Sequence, residues 1–238
     1  FNETDTSFST VPAKSEITIR QLLNHTSGIG YAQIGSPHQT AIYYKYDING
    51  GIGTPNSTLK EKITALAGLP LFQQPGKNFM YGLNTDVLGY LVELISGMPL
   101  DKYLQRKIFE PLGMKDTYFY LPKEKQKRLV PLYMQDKNKQ LGIQDSIISL
   151  NGVSERDFPL KENGTYFSGG AGLSSTAYDY ALFGQMLLNG GMLNMFGSHF
   201  WTDPKNKIVV VVMRNIWPTE HWDFGDRIKP VIYQAFGE

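Results

Sequence analysis

The chain reads as an α+β protein: an antiparallel β-sheet flanked by helices, joined to a mostly helical region. Three features support this. Apolar residues recur at helical spacing through the first half, with capping residues before them and glycines after. The run Ile208 to Met213 follows the turn Asp203-Pro204-Lys205-Asn206 and pairs with Phe200-Trp201 as a hairpin containing one deeply buried strand. Asp223 to Ala235 returns to helical spacing at Phe224, Ile228, Val231 and Ile232, with Pro230 kinking the helix or delaying its start. Helices come first and strands late. The expected division is therefore 1–168, mostly helix and loop, and 169–238, part of a sheet domain.

Residues 1–16 are polar and read as an arm. Ile17 to Asn24 reads as a short helix capped by Thr18, with Leu22 and Leu23 as its apolar face and His25-Thr26-Ser27-Gly28 as its stop. Residues 28–56, rich in Gly, Pro, Asn and Tyr, read as one long loop. Thr58 and Glu61 form a capping box for a helix to about Ala67. A stronger helix, capped by Thr85 or Asp86, carries Val87, Leu88, Leu91, Leu94 and Ile95 up to Gly97. Pro99-Leu100-Asp101 opens the next, with Tyr103, Leu104, Ile108 and Phe109 inward, ending near Gly113. Lys123 to Arg128 reads as a solvated surface turn or helix, and 129–168 as short strands and loops. Thr176 and Asp179 open a helix that ends at Gly190-Gly191.

Composition excludes several functions. With 41% hydrophobic residues, the chain can bury a real core. The absence of cysteine rules out a disulfide scaffold, a thiolate zinc site and a Cys nucleophile. A net charge of +1 argues against nucleic-acid binding through phosphate neutralisation. No apolar run approaches the ~20 residues of a membrane helix. His25, His38, His199 and His221 show no metal-ligand spacing, so no metal and no cofactor is expected. The glycines at 169, 170 and 172 match no phosphate-binding fingerprint and read as tight backbone packing.

One Ser-x-x-Lys occurs, Ser57-Thr58-Leu59-Lys60. On a helix these side chains share a face, and a neutral lysine there could take the serine proton. The competing reading is a helix cap, because an exposed lysine keeps its proton near pH 10 and is a poor base.

Four segments together resemble the serine β-lactamase and penicillin-binding-protein superfamily, especially its class C-type hydrolases, esterases and D,D-peptidases. They are ITIRQLLNHTSGI (17–29), FMYGLNTDVLGYLVELISGMPLDKYLQRKIFEPLGMKDTYF (79–119), GGAGLSSTAYDYALFGQMLLNGG (169–191) and FGSHFWTDPKNKIVVVVM (196–213). The resemblance implies a β-lactamase/transpeptidase-like fold with its site in a cleft. It also implies acyl-enzyme hydrolysis of an ester, amide or β-lactam bond in a small molecule or peptide. The alternative is a binding protein that keeps the fold and lacks the nucleophile. Tyr81 matches the family's general base; Leu83 and Asn84 stand where the family's Tyr-x-Asn loop binds substrate. A phenol ionises near neutrality only beside a cation. The family's Ser-x-x-Lys should precede HTSG, and its substrate strand should precede FGSHFW. A nucleophile segment before residue 1 and a segment between 194 and 195 are therefore expected to be missing, either left out or truly deleted. Met195 would then offer the backbone N–H of an oxyanion hole. The family often works outside the cytoplasm, which favours a periplasmic or extracellular location.

Overall fold

Thr18 opens the first helix, α1 (Ile19–Leu23), by a reciprocal capping box with Gln21. This is the first element of a computed structural model that describes residues 2, 7–32, 34–48, 56–135, 138–143, 158–188, 199–203, 208–212, 230, 231 and 234. The expected helix over 223–235, the glycine stop at 190–191 and the turn at 203–206 lie wholly or mostly outside the described residues. The chain divides into two units: Phe1–Lys107 with Tyr118–Pro122 and Ile148–Ser174, and Ile108–Thr117 with Lys123–Ile147 and Ser175–Glu238.

In the first unit, α1 buries Leu22, whereas Leu23 is 66% exposed, so the apolar face is narrower than the two-leucine expectation. A second helix, α2 (Pro37–Lys45), runs through the stretch expected to be loop. Ser36 and Gln39 form another capping box, and Pro37 is preorganised for the first turn. Ile42 and Tyr43 anchor it in the core. The helix α3 (Leu59–Ala67) starts at the expected Thr58–Glu61 box and buries Leu59, Ile63 and Leu66.

The central helix, α4 (Asn84–Ser96), packs against α1 and α3. It ends at Gly97 in the left-handed conformation (φ 67°), which glycine adopts without strain. Its start corrects the sequence reading: Leu83 stands at the cap, and neither Thr85 nor Asp86 caps it. Asp86 is instead wholly buried in the first turn. Leu94 and Ile95 are exposed, so the buried side is built from Asn84, Asp86 and Gly89 with Val87 and Leu88. The helix α5 (Leu100–Leu104) packs on α4 through Leu100 and runs into a π-helical turn, Gln105–Phe109.

The second unit holds α6 (Glu110–Leu112), α7 (Lys123–Gln126), the antiparallel pair β1 (Tyr133–Gln135) and β2 (Leu141–Ile143), and α8 (Ala177–Leu188). The hairpin β3 (His199–Asp203) and β4 (Ile208–Val212) follows, antiparallel with His199 opposite Val212. It packs on α8 where Gly184 lets Val209 approach. The basic run is not wholly solvated: Lys125 and Arg128 both reach Asp116 Oδ1, at 2.6 and 2.7 Å. Buried Asp179 accepts from the Asp116 N–H at 2.6 Å and the Thr117 hydroxyl at 2.9 Å.

Candidate active site

The tyrosine loop is fastened to the segment that follows α1. Met80 N–H donates to the His25 carbonyl at 2.7 Å, and Leu83 N–H to the Gly30 carbonyl at 3.3 Å. Tyr81 therefore sits between two backbone bonds to one short stretch, His25 to Gly30. Gly82 makes this approach possible, because a Cβ there would collide with the Ile29 carbonyl and the Gly30 backbone. That stretch is itself held from the other side: Gly76 N–H donates to the Thr26 carbonyl and Phe72 N–H to the Gly28 carbonyl.

Asn84, with no exposed surface, joins the same two segments through its side chain. Its Oδ1 accepts a short bond from the Ser27 hydroxyl, which in turn accepts from the Ile29 N–H at 3.1 Å. Its Nδ2 lies 3.0 Å from His25 Nδ1 and 3.4 Å from the Ile29 carbonyl. The Tyr81 ring is half-buried between His25 and Tyr31, with ring centroids 5.1 and 5.3 Å away.

Behind these rings lies Asp86. Tyr166 donates to its Oδ1 at 3.2 Å. Oδ2 makes no bond of ordinary geometry among the described residues, while Ser168 and the Gly170 N–H act on the carboxyl from nearby. Gly170 leaves space that a Cβ would fill against Thr85 Oγ1, Asp86 Oδ2 and the Tyr31 hydroxyl. Complete burial pushes the Asp86 carboxyl up to about 6, against the partial opposition of Ser168, Tyr166 and Gly170. Burial and then the Asp86 charge push Tyr81 up to about 12. The phenols of Tyr31 and Tyr166 are raised by the same two causes. In this state Tyr81 carries its proton at neutral pH, and a cation has to stand beside it before it can give that proton up and act as a base.

The expected site residues fare differently. Tyr81 lies at the surface end of this network. Leu83 is 2% exposed and packs in the core, and Asn84 is fully enclosed. Both fasten the tyrosine loop to the segment after α1, Leu83 through its backbone and Asn84 through its side chain. Met195 lies outside the described residues. Ser57 precedes α3 and donates to Glu61 at 2.9 Å, while Lys60 is exposed, which is the geometry of a helix entry. In the sequence, His25 and Asp86 read as a helix stop and a cap. Their partners lie 59 and 80 residues away, beyond the reach of a local pattern.

A family model described as Beta-lactamase matches residues 8–195. The chain belongs to the beta-lactamase family. Among the relatives of this beta-lactamase-family chain, Esterase EstB of Burkholderia gladioli is 34% identical over 168 residues, 68% of this chain and 42% of that protein. Lovastatin esterase of Penicillium rubens is 30% identical over 198 residues, 79% of this chain and 46% of that protein. The solved structure of EstCE1, a hydrolase with promiscuous acyltransferase activity, matches with a TM-score of 0.61 and 29% identity over 74% of this chain and 47% of that one. The chain thus spans less than half the length of these relatives. The mixed helix-and-strand fold expected of a β-lactamase-like protein agrees with these matches. No helix among the described residues is long and apolar enough to cross a membrane.

Proposed function

We propose that this chain is the tyrosine-bearing part of a serine hydrolase that cleaves esters through an acyl-enzyme. Tyr81 is its general base and then its general acid. One observation carries the reading: the phenol is held between two backbone bonds and two aromatic rings at the start of α4. Such fixing is what proton transfer to a reacting oxygen needs. On the resemblance, the nucleophile is a serine outside these 238 residues; Ser57 serves as part of a helix entry. A lysine near that serine supplies the cation that Tyr81 requires. Met195 is assigned the backbone donor to the oxyanion on resemblance. An ester is favoured over a β-lactam because Leu83 replaces the asparagine of the Tyr-x-Asn loop, and because EstB and lovastatin esterase are named for ester cleavage.

The test uses the protein expressed from its own uninterrupted gene. A fluorophosphonate should add one covalent label, and p-nitrophenyl acetate should be hydrolysed. Tyr81→Phe should lower kcat by roughly 10²- to 10⁴-fold without loss of folding. The absence of both label and hydrolysis would overturn the reading in favour of a binding protein. A label on the peptide containing Ser57 would replace it with a hydrolase built on Ser57 and Lys60.

A further inference from the structure

His25 touches the ring of Tyr81, yet the function above gives it no role. Four observations fix its state. Asn84 Nδ2 lies 3.4 Å from the Ile29 carbonyl, which can only accept. The amide nitrogen must therefore face that carbonyl, and Oδ1 must face Ser27. The Ser27 hydroxyl already accepts from the Ile29 N–H, so it has its proton available to donate to Oδ1. The second hydrogen of Nδ2 then points to His25 Nδ1 at 3.0 Å, and Nδ1 has to accept it. The imidazole is consequently neutral, with its proton on Nε2. Partial burial acts in the same direction, lowering the His25 pKa.

The backbone supports this placement. His25 has φ 55°, the left-handed region, which non-glycine residues enter at a cost unless their surroundings hold them there. Its carbonyl accepts from Met80 N–H, so backbone and ring grip both sides of the residue before Tyr81 and Tyr81 itself. Phe79 packs on the same imidazole at 5.7 Å between centroids.

We propose that His25 is a positioning residue for the hydrolase: a neutral Nε2–H imidazole, locked by Asn84, that sets the angle of the Tyr81 phenol. This rests on the function proposed above. A side chain that fixes the reacting group acts on kcat rather than on substrate affinity.

The experiment pairs a variant with a spectrum. His25→Asn keeps a residue type that tolerates left-handed φ and removes the ring. On p-nitrophenyl acetate its kcat should fall roughly 10- to 100-fold while KM moves less than about twofold. In the unaltered protein, long-range ¹H–¹⁵N spectra of the imidazole should show Nε2 protonated and Nδ1 bare. An unchanged kcat in a folded His25→Asn overturns the positioning role and leaves the hydrolase standing. So does a loss expressed only in KM. If His25→Asn does not fold, the spectrum decides: a proton on Nδ1 overturns the proposal and one on Nε2 upholds it. An unaltered protein with no esterase activity removes the hydrolase reading and this role together.

Discussion

Replacing Asp86 with asparagine should change how the stability of the protein depends on pH. The carboxyl is fully enclosed, and its pKa stands at about 6 instead of the ordinary 3.8. Holding the proton more tightly when folded means that the ionised form is the unfavourable one. The stabilisation linked to this proton is fully present below pH 3.8. It is lost as pH rises through about 6 and stays lost above that. A rise from 3.8 to about 6 corresponds to about 3 kcal/mol between the two limits. Asparagine is nearly isosteric and cannot ionise. Any cost of fitting its NH₂ against Tyr166 and Ser168 is the same at every pH. The stability of Asp86→Asn minus that of the parent should therefore grow by about 2 kcal/mol between pH 4 and pH 8, the rest of the about 3 kcal/mol lying below pH 4. Urea unfolding of both proteins across that range reads the difference directly. Parallel profiles, or a gap that narrows toward alkaline pH, would refute the argument and show that the carboxyl is solvated or paired with a cation.

Other substitutions test other parts of the structure. His25 has the opposite sign: its pKa is lowered in the folded protein, so its contribution is present above 6.5 and lost as pH falls through the depressed value. Acid unfolding should flatten below pH 6.5 in His25→Asn. Gly82→Ala would drive a methyl group into the Ile29 carbonyl and the Gly30 backbone, and should cost about 2–3 kcal/mol in thermal or urea unfolding. Asp179→Ala removes a buried acceptor from the Asp116 N–H and the Thr117 hydroxyl, and should cost about 2–4 kcal/mol by the same measurement.

What could be read from residue order follows the range of the interaction involved. The starts of α1 and α3 rest on capping boxes three residues wide, and both were readable at Thr18–Gln21 and Thr58–Glu61. Ser36-Pro37-x-Gln39 carries the same signal for α2, but the surrounding Gly, Pro and Asn suggested a loop. Tyr43 and Ile42, buried against distant residues, decide for the helix. The start of α4 was misplaced because Asn84 is bonded to Ser27 and His25 rather than to its own turn. Asp86 shows the same effect: an acid in a first turn resembles a cap, and its inward partners, Tyr166, Ser168 and Gly170, lie 80 or more residues on. Tyr81 stands out in the sequence through the motif around it. The segment that holds it does not, since no local spacing links residue 25 to residue 80.

The double fastening of the Tyr81 loop to His25–Gly30 has a mechanical consequence. The backbone that carries the phenol cannot swing independently; it travels with the six residues beneath it, and they with the end of α1. Evolutionary tuning of such a reaction centre would proceed by swapping residues in the supporting stretch, while the tyrosine itself stays untouched.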